Sequence, residues 1–181
     1  MRAAGWNLPP NWITLARIAL TPFIGLALAR QDYGRAFPLL FVAGLSDAFD
    51  GWLARRFKWR SELGEKLDPI ADKLMVAVVY LGLTAGGALP WWLTALVLGR
   101  DAGILLAAVW LWRRGRMRRF PPSVWGKLST ICQMALGGMA VLAGAYPAAG
   151  AGVVVPPLIW AAALLTVISG ADYARRAMPG D

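Results

Sequence analysis

Residues 36–55, AFPLLFVAGLSDAFDGWLAR, and residues 63–83, LGEKLDPIADKLMVAVVYLGL, hold four aspartates in otherwise apolar sequence. Asp47 and Asp50 lie near the end of the first run. Asp68 and Asp72 lie near the start of the second. A helix of ~20 mostly apolar residues can cross the ~30 Å hydrocarbon core of a bilayer, and both runs reach that length. Ionisable groups at membrane depth are costly, rare and usually functional. The spacings are i,i+3 and i,i+4, so each pair projects from one helix face. Two such faces make a donor set for metal. A polar network locking two helices, or an ion path, would use the same residues.

The surrounding composition supports the membrane reading. The chain has 181 residues, is 58% hydrophobic and carries ten tryptophans, with a mean hydropathy of +0.52. A soluble domain is nearer half apolar. Six apolar stretches can be drawn, at approximately 11–29, 36–55, 66–86, 90–112, 124–145 and 153–174. No repeat or long linker interrupts them. The expected fold is therefore an all-α integral membrane protein, with six transmembrane helices in one bundle and residues 1–181 as a single domain.

Absent residue types exclude several chemistries. There is no histidine, which removes His general bases, His-assisted nucleophiles and His-ligated zinc. Cys132 has no partner for an intrachain disulfide and reads as a buried structural thiol. The first apolar run carries Arg17 and lacks a clear small-residue cleavage site, so no cleavable signal peptide is expected.

Charge then orients the bundle. The net charge is +9, but it sits in short connections rather than in a nucleic-acid-binding patch, and no nucleic acid partner is expected. Residues 55–66, RRFKWRSELGEK, and 113–119, RRGRMRR, are strongly basic, and Arg175 and Arg176 follow the last run. The 86–90 and 146–152 connections have no charge. Basic connections favour the cytoplasmic side, so both termini are expected there. All four aspartates then fall at one depth, just inside the cytoplasmic face. On the first run, Asn11, Thr14, Arg17 and Thr21 share a face. That face either packs helices around a snorkelling arginine or borders the acidic site.

Clustered carboxylates repel one another and take up protons or a cation. Hard oxygen donors suit Mg²⁺, Mn²⁺ or Ca²⁺. Near a diphosphate, two such ions would neutralise the leaving group and align an incoming oxygen. Gly51 and Gly64 leave room for a substrate near the backbone. Ala54 keeps the same face slim, and Arg55 offers a forked donor to phosphate.

The full pattern is Asp47-x-x-Asp50-Gly51-x-x-Ala54-Arg55, then Gly64-x-x-x-Asp68-x-x-x-Asp72. It resembles the signature of the CDP-alcohol phosphatidyltransferase family at every defined position. The six runs and the PNWITLARI stretch at 10–18 extend the likeness over most of the chain. The resemblance implies a six-helix membrane enzyme, usually a homodimer, with a polar cavity at the cytoplasmic interface. It implies that Asp47, Asp50, Asp68 and Asp72 hold two divalent ions, Mg²⁺ or Mn²⁺. Gly51, Ala54, Arg55 and Gly64 would line the CDP moiety, with Asp50, Asp68, Asn11 and Thr14 beside it. Asp72 would be the base that deprotonates the acceptor hydroxyl for attack on CDP-diacylglycerol.

The acceptor is less legible. Gly99-Arg100-Asp101 and the 122–133 stretch resemble eukaryotic-type cardiolipin synthases, whose acceptor is phosphatidylglycerol. Phosphatidylglycerophosphate synthases, which use glycerol 3-phosphate, are the alternative. Either acceptor presents a phosphate and would want cations, for which Arg17, Lys66, Lys73, Arg100 and Lys127 are the candidates. Lys73 points about 100° away from Asp72 on a helix, so a helix-interface ion pair fits it equally well. Arg100 and Asp101 can equally be a pair within the bundle. The 113–119 arginines read first as a topology and lipid-surface element. An ion or proton transporter is the remote alternative.

Overall fold

The computed structural model describes residues 9–57, 64–113 and 123–177. They form six α-helices: α1 Pro9–Ala29, α2 Tyr33–Phe57, α3 Gly64–Ala85, α4 Trp91–Arg113, α5 Val124–Ala145 and α6 Val155–Ala177. No strand occurs among the described residues. The expected apolar runs and the observed helices agree to within a few residues. One difference is the uncharged 146–152 connection, which folds into two short 3₁₀ turns, Pro147–Ala149 and Ala151–Val154. Gly150 joins them at φ 68°, a left-handed conformation open to glycine.

The helices close into a ring. Going round it, α1 packs on α2, α2 on α5, α5 on α6, α6 on α4, α4 on α3, and α3 back on α1, while α3 and α5 also meet across the middle. Cross-helix contacts define two ends. At one end Gln31 Nε2 donates to the Gly86 carbonyl (3.0 Å) and the Phe37 ring meets Tyr146 edge-on. Thr84 bonds Thr94, and Trp92 lies against Trp160. At the other end lie the polar contacts described below.

The interior is divided in the same way. Ile24, Leu28, Val79, Leu83, Leu93, Val97, Leu136 and Val141 form an apolar core towards the first end. Towards the second, the buried residues become Thr14, Arg17, Ser123, Ser129, Thr166 and Ser169. Tyr80, Ser129, Gln133 and Thr166 make the transition, with Gln133 Nε2 donating to Ser129 Oγ (3.1 Å) and Thr166 Oγ1 (2.9 Å). Tyr80 donates to the Gln133 carbonyl (3.1 Å). Such polar pairs satisfy groups that lipid cannot.

The outside is apolar. Phe23, Phe41, Trp91, Leu105, Leu106, Trp160 and Val167 are all exposed large hydrophobics, a surface far more apolar than water tolerates in a monomer. Among the described residues, Val124–Ala145 and Ala151–Arg176 are long and apolar enough to cross a membrane, and Thr14–Ala29 is a shorter apolar helix.

Close approach of α1 and α3 fixes this arrangement. A Cβ at Gly82 would lie 2.8 Å from the Gly25 carbonyl oxygen and 2.9 Å from Leu28 Cβ. Alanine gains ~1 kcal/mol of helix propensity over glycine, but overpacking a fixed contact costs about 1–3 kcal/mol. The steric term wins because backbone atoms cannot step aside. Gly82→Ala is expected to lower the thermal unfolding temperature of the detergent-solubilised protein, and an unchanged or raised midpoint would contradict the packing described here.

Candidate functional site

The polar stripe of α1 borders Asp72. Thr14, Arg17 and Thr21 are all buried, as their spacing on one helical face requires. Arg17 Nη1 donates to Asp72 Oδ1 at 3.2 Å. The Arg17 side chain is 1% exposed while that of Asp72 is 43% exposed. Thr21 Oγ1 donates to the Arg17 carbonyl at 2.7 Å. The snorkelling alternative is therefore corrected. Burying a guanidinium is too costly without a counter-charge, and Asp72 supplies it. The carboxylate keeps enough accessible surface to meet another molecule.

A second polar cluster begins one residue later. Lys73 Nζ lies 2.5 Å from Asp101 Oδ2, and Arg100 Nη1 lies 2.7 Å from Asp101 Oδ1. Asp101 thus bridges two cations from α3 and α4. The Arg100 side chain is 7% exposed. Its Nη2 donates to Ser169 Oγ of α6, and its Cζ sits 5.6 Å from the centre of the Tyr173 ring, within cation–π range. The start of α5 closes the cluster. A Cβ at Gly126 would lie 3.3 Å from Arg100 Nη2 and 3.2 Å from Tyr173 Cε2. Ser123 caps α5 by accepting from Gly126 N at 3.0 Å.

Removing the bridge should be felt in stability. Asp101→Asn leaves the buried Arg100 without its counter-charge. Loss of one partner of a fully buried pair costs about 3–5 kcal/mol. Lys73 is half-exposed and water compensates it, so the lower part of that range is expected. A fall in the unfolding midpoint checks this, and an unshifted midpoint would contradict it.

The remaining expected residues are placed by backbone alone. Asp47, Asp50, Gly51, Ala54 and Arg55 fall in the last turns of α2, and Gly64, Lys66 and Asp68 in the first turns of α3. Asn11 is in the first turn of α1. Their side chains lie outside the described residues, as do residues 114–119. Helix α1, which carries Arg17, packs on both acid-bearing helices. Lys127 is exposed on α5, one residue after Gly126. Arg113 is exposed at the end of α4.

Ser169 and Tyr173 were not singled out from sequence. The available signal was their i,i+4 spacing on one face of α6, three residues beyond Thr166. Neither is charged in an apolar run, so neither carried the energetic warning that the aspartates do.

Comparison with known proteins gives the arrangement a context. The family described as CDP-alcohol phosphatidyltransferase matches residues 6–168. A Mycobacterium tuberculosis protein named "Probable phosphatidylglycerophosphate synthase" is 39% identical over 174 residues, covering 93% of this chain and 80% of the relative. The human "Cardiolipin synthase (CMP-forming)" is 38% identical over 105 residues, covering 58% of this chain and 34% of the relative. A Yersinia pestis "CDP-diacylglycerol--glycerol-3-phosphate 3-phosphatidyltransferase" is 38% identical over 131 residues, covering 69% and 71%.

Proposed function

This chain belongs to the CDP-alcohol phosphatidyltransferase family, and on that premise we propose that it transfers a phosphatidyl group from CDP-diacylglycerol to a glycerol hydroxyl that has a phosphate beside it. The observation that carries this reading is the placement of Asp72. It is accessible, held by the buried Arg17, and followed in the chain by Lys73, which shares Asp101 with Arg100. A carboxylate next to cations suits an acceptor that offers one proton and one phosphate.

The chain's residues divide the work as follows. Gly51, Ala54, Arg55 and Gly64 receive the CDP moiety, with Asn11 and the buried Thr14 on the α1 side. Asp72 accepts the proton of the acceptor hydroxyl. The hydroxyl oxygen forms its bond to the β-phosphorus as the bond from that phosphorus to the CMP oxygen breaks. Arg17 keeps the Asp72 carboxylate aimed during that transfer. Arg100 engages the acceptor's phosphate, and Lys66, Lys73 and Lys127 add positive charge on the same side. The oxygen donors of Asp47, Asp50, Asp68 and Asp72 would hold two Mg²⁺ or Mn²⁺ ions, and the accessible Asp72 carboxylate is compatible with that role. A divalent ion bound there supplies charge neutralisation for the diphosphate. All six helices span the bilayer in this account, and the basic 55–66 and 113–119 segments favour the cytoplasmic side for the acidic end.

Phosphatidylglycerol is the proposed acceptor, giving cardiolipin. The Gly99-Arg100-Asp101 stretch and the likeness to the human cardiolipin synthase support it. Glycerol 3-phosphate is the second reading, supported by the names of the Mycobacterium and Yersinia relatives. An acceptor screen separates them. Purified protein is given CDP-diacylglycerol, Mg²⁺ or Mn²⁺, and phosphatidylglycerol, glycerol 3-phosphate, inositol phosphate or serine, and the lipid products are identified by mass. Cardiolipin is expected with phosphatidylglycerol. Product with glycerol 3-phosphate alone would overturn that choice of acceptor.

A further inference from the structure

We infer that Ser169 and Tyr173 of α6 are positioning residues that fix the Arg100 guanidinium for the acceptor's phosphate. This rests on the reading of Arg100 as the phosphate contact. Arginine carries a long, mobile side chain, and a bidentate grip on phosphate needs its planar fork held in one orientation. Three contacts hold it here. Asp101 takes Nη1 at 2.7 Å, Ser169 Oγ takes Nη2, and the Tyr173 ring lies 5.6 Å from Cζ. Gly126 leaves room for Nη2, which would lie 3.3 Å from a Cβ at that position.

One donor is left over. Arg100 Nε is buried and has no hydrogen-bond partner among the described residues. A buried donor without an acceptor is disfavoured, and its presence points to a ligand. Nε and Nη2 lie on the same edge of the guanidinium, with a spacing that matches two non-bridging oxygens of a phosphate. Asp101 accepts from Nη1, which lies off that edge. Ser169 holds Nη2 through its hydroxyl oxygen. Tyr173 contributes through its ring face rather than its hydroxyl. A phosphomonoester such as glycerol 3-phosphate and the phosphodiester of phosphatidylglycerol share these two oxygens.

The test measures CMP release by the full chain in lipid nanodiscs, with phosphatidylglycerol and glycerol 3-phosphate as separate acceptor arms. KM is determined for the acceptor that supports release and for CDP-diacylglycerol. Ser169→Ala and Tyr173→Leu are expected to raise the acceptor KM by about tenfold, the loss of a charge-assisted contact, with the CDP-diacylglycerol KM unchanged. Ser169→Thr and Tyr173→Phe, which retain the hydroxyl and the ring, are expected to retain the wild-type acceptor KM. Arg100→Lys separates the two levels of the argument. If it raises the acceptor KM while Ser169→Ala and Tyr173→Leu do not, the positioning role is overturned and the Arg100 reading stands. If Arg100→Lys leaves the acceptor KM unchanged, the Arg100 reading falls and this inference falls with it. Equal changes in both KM values, together with a lowered unfolding midpoint, would indicate helix packing alone and also overturn the inference. Should Tyr173→Leu fail to fold, Ser169→Ala, which only trims one buried oxygen, decides the outcome.

Discussion

Replacing Asp72 with asparagine should abolish CMP release while CDP-diacylglycerol still binds. The substitution keeps the side chain's size, and an amide oxygen can still accept from Arg17 Nη1, which lies 3.2 Å from the native carboxylate. What is lost is the ability to take a proton. General base catalysis contributes about 10²–10⁴-fold, so a fall of at least ~10²-fold in turnover is expected. Turnover comes from CMP release, and substrate binding from the shift in unfolding temperature on adding CDP-diacylglycerol. Near-normal turnover in Asp72→Asn would remove Asp72 from the base role. Loss of binding together with turnover would place its contribution in holding substrate or metal instead.

Arg17 is expected to matter almost as much, although it need not touch the reacting atoms. Its side chain is 1% exposed and supplies the counter-charge for Asp72. Arg17→Met fills similar volume without charge. Because Asp72 is 43% exposed, water can compensate the remaining carboxylate. The stability cost should then fall below the about 3–5 kcal/mol seen when a fully buried pair is broken. Activity should suffer more. A carboxylate that loses this contact and moves by ~1 Å can lose ~10²-fold in rate. Arg17→Lys should fall between wild type and Arg17→Met, since an ammonium keeps the charge but lacks the planar fork and is more strongly hydrated. Turnover and unfolding midpoints of the two variants measure both effects. Wild-type turnover in Arg17→Met would show that the ion pair serves packing only.

The sequence carried the helices well, for a simple reason. Each run is long, apolar and bounded by charge, proline or glycine, and length in lipid is a strong constraint. The run at 124–145 coincides with α5, and that at 36–55 lies inside α2. The 146–152 connection was less legible. A short segment without charge or strong periodicity gives no sign of two 3₁₀ turns around Gly150.

The candidate site was legible where its residues were expensive. Aspartates in apolar sequence signal themselves, and so does Arg17. Their pairing does not. Arg17 and Asp72 are 55 positions apart, and helix periodicity fixes a face without naming the helix opposite. The two bland expectations for Lys73 and Arg100, a helix-interface pair and a pair within the bundle, both describe what Asp101 does in bridging them. The contribution of α6 was hidden because serine and tyrosine are ordinary in membrane helices, and only the ring closure of α6 on α4 brings them to Arg100.

The most direct measurement of the central claim is CMP release by the purified protein from CDP-diacylglycerol with Mg²⁺ or Mn²⁺, with and without phosphatidylglycerol. The account predicts CMP and a new phospholipid in equal amounts, dependent on the acceptor and lost in Asp72→Asn. Absence of CMP with every alcohol offered, together with ion flux in proteoliposomes, would contradict it.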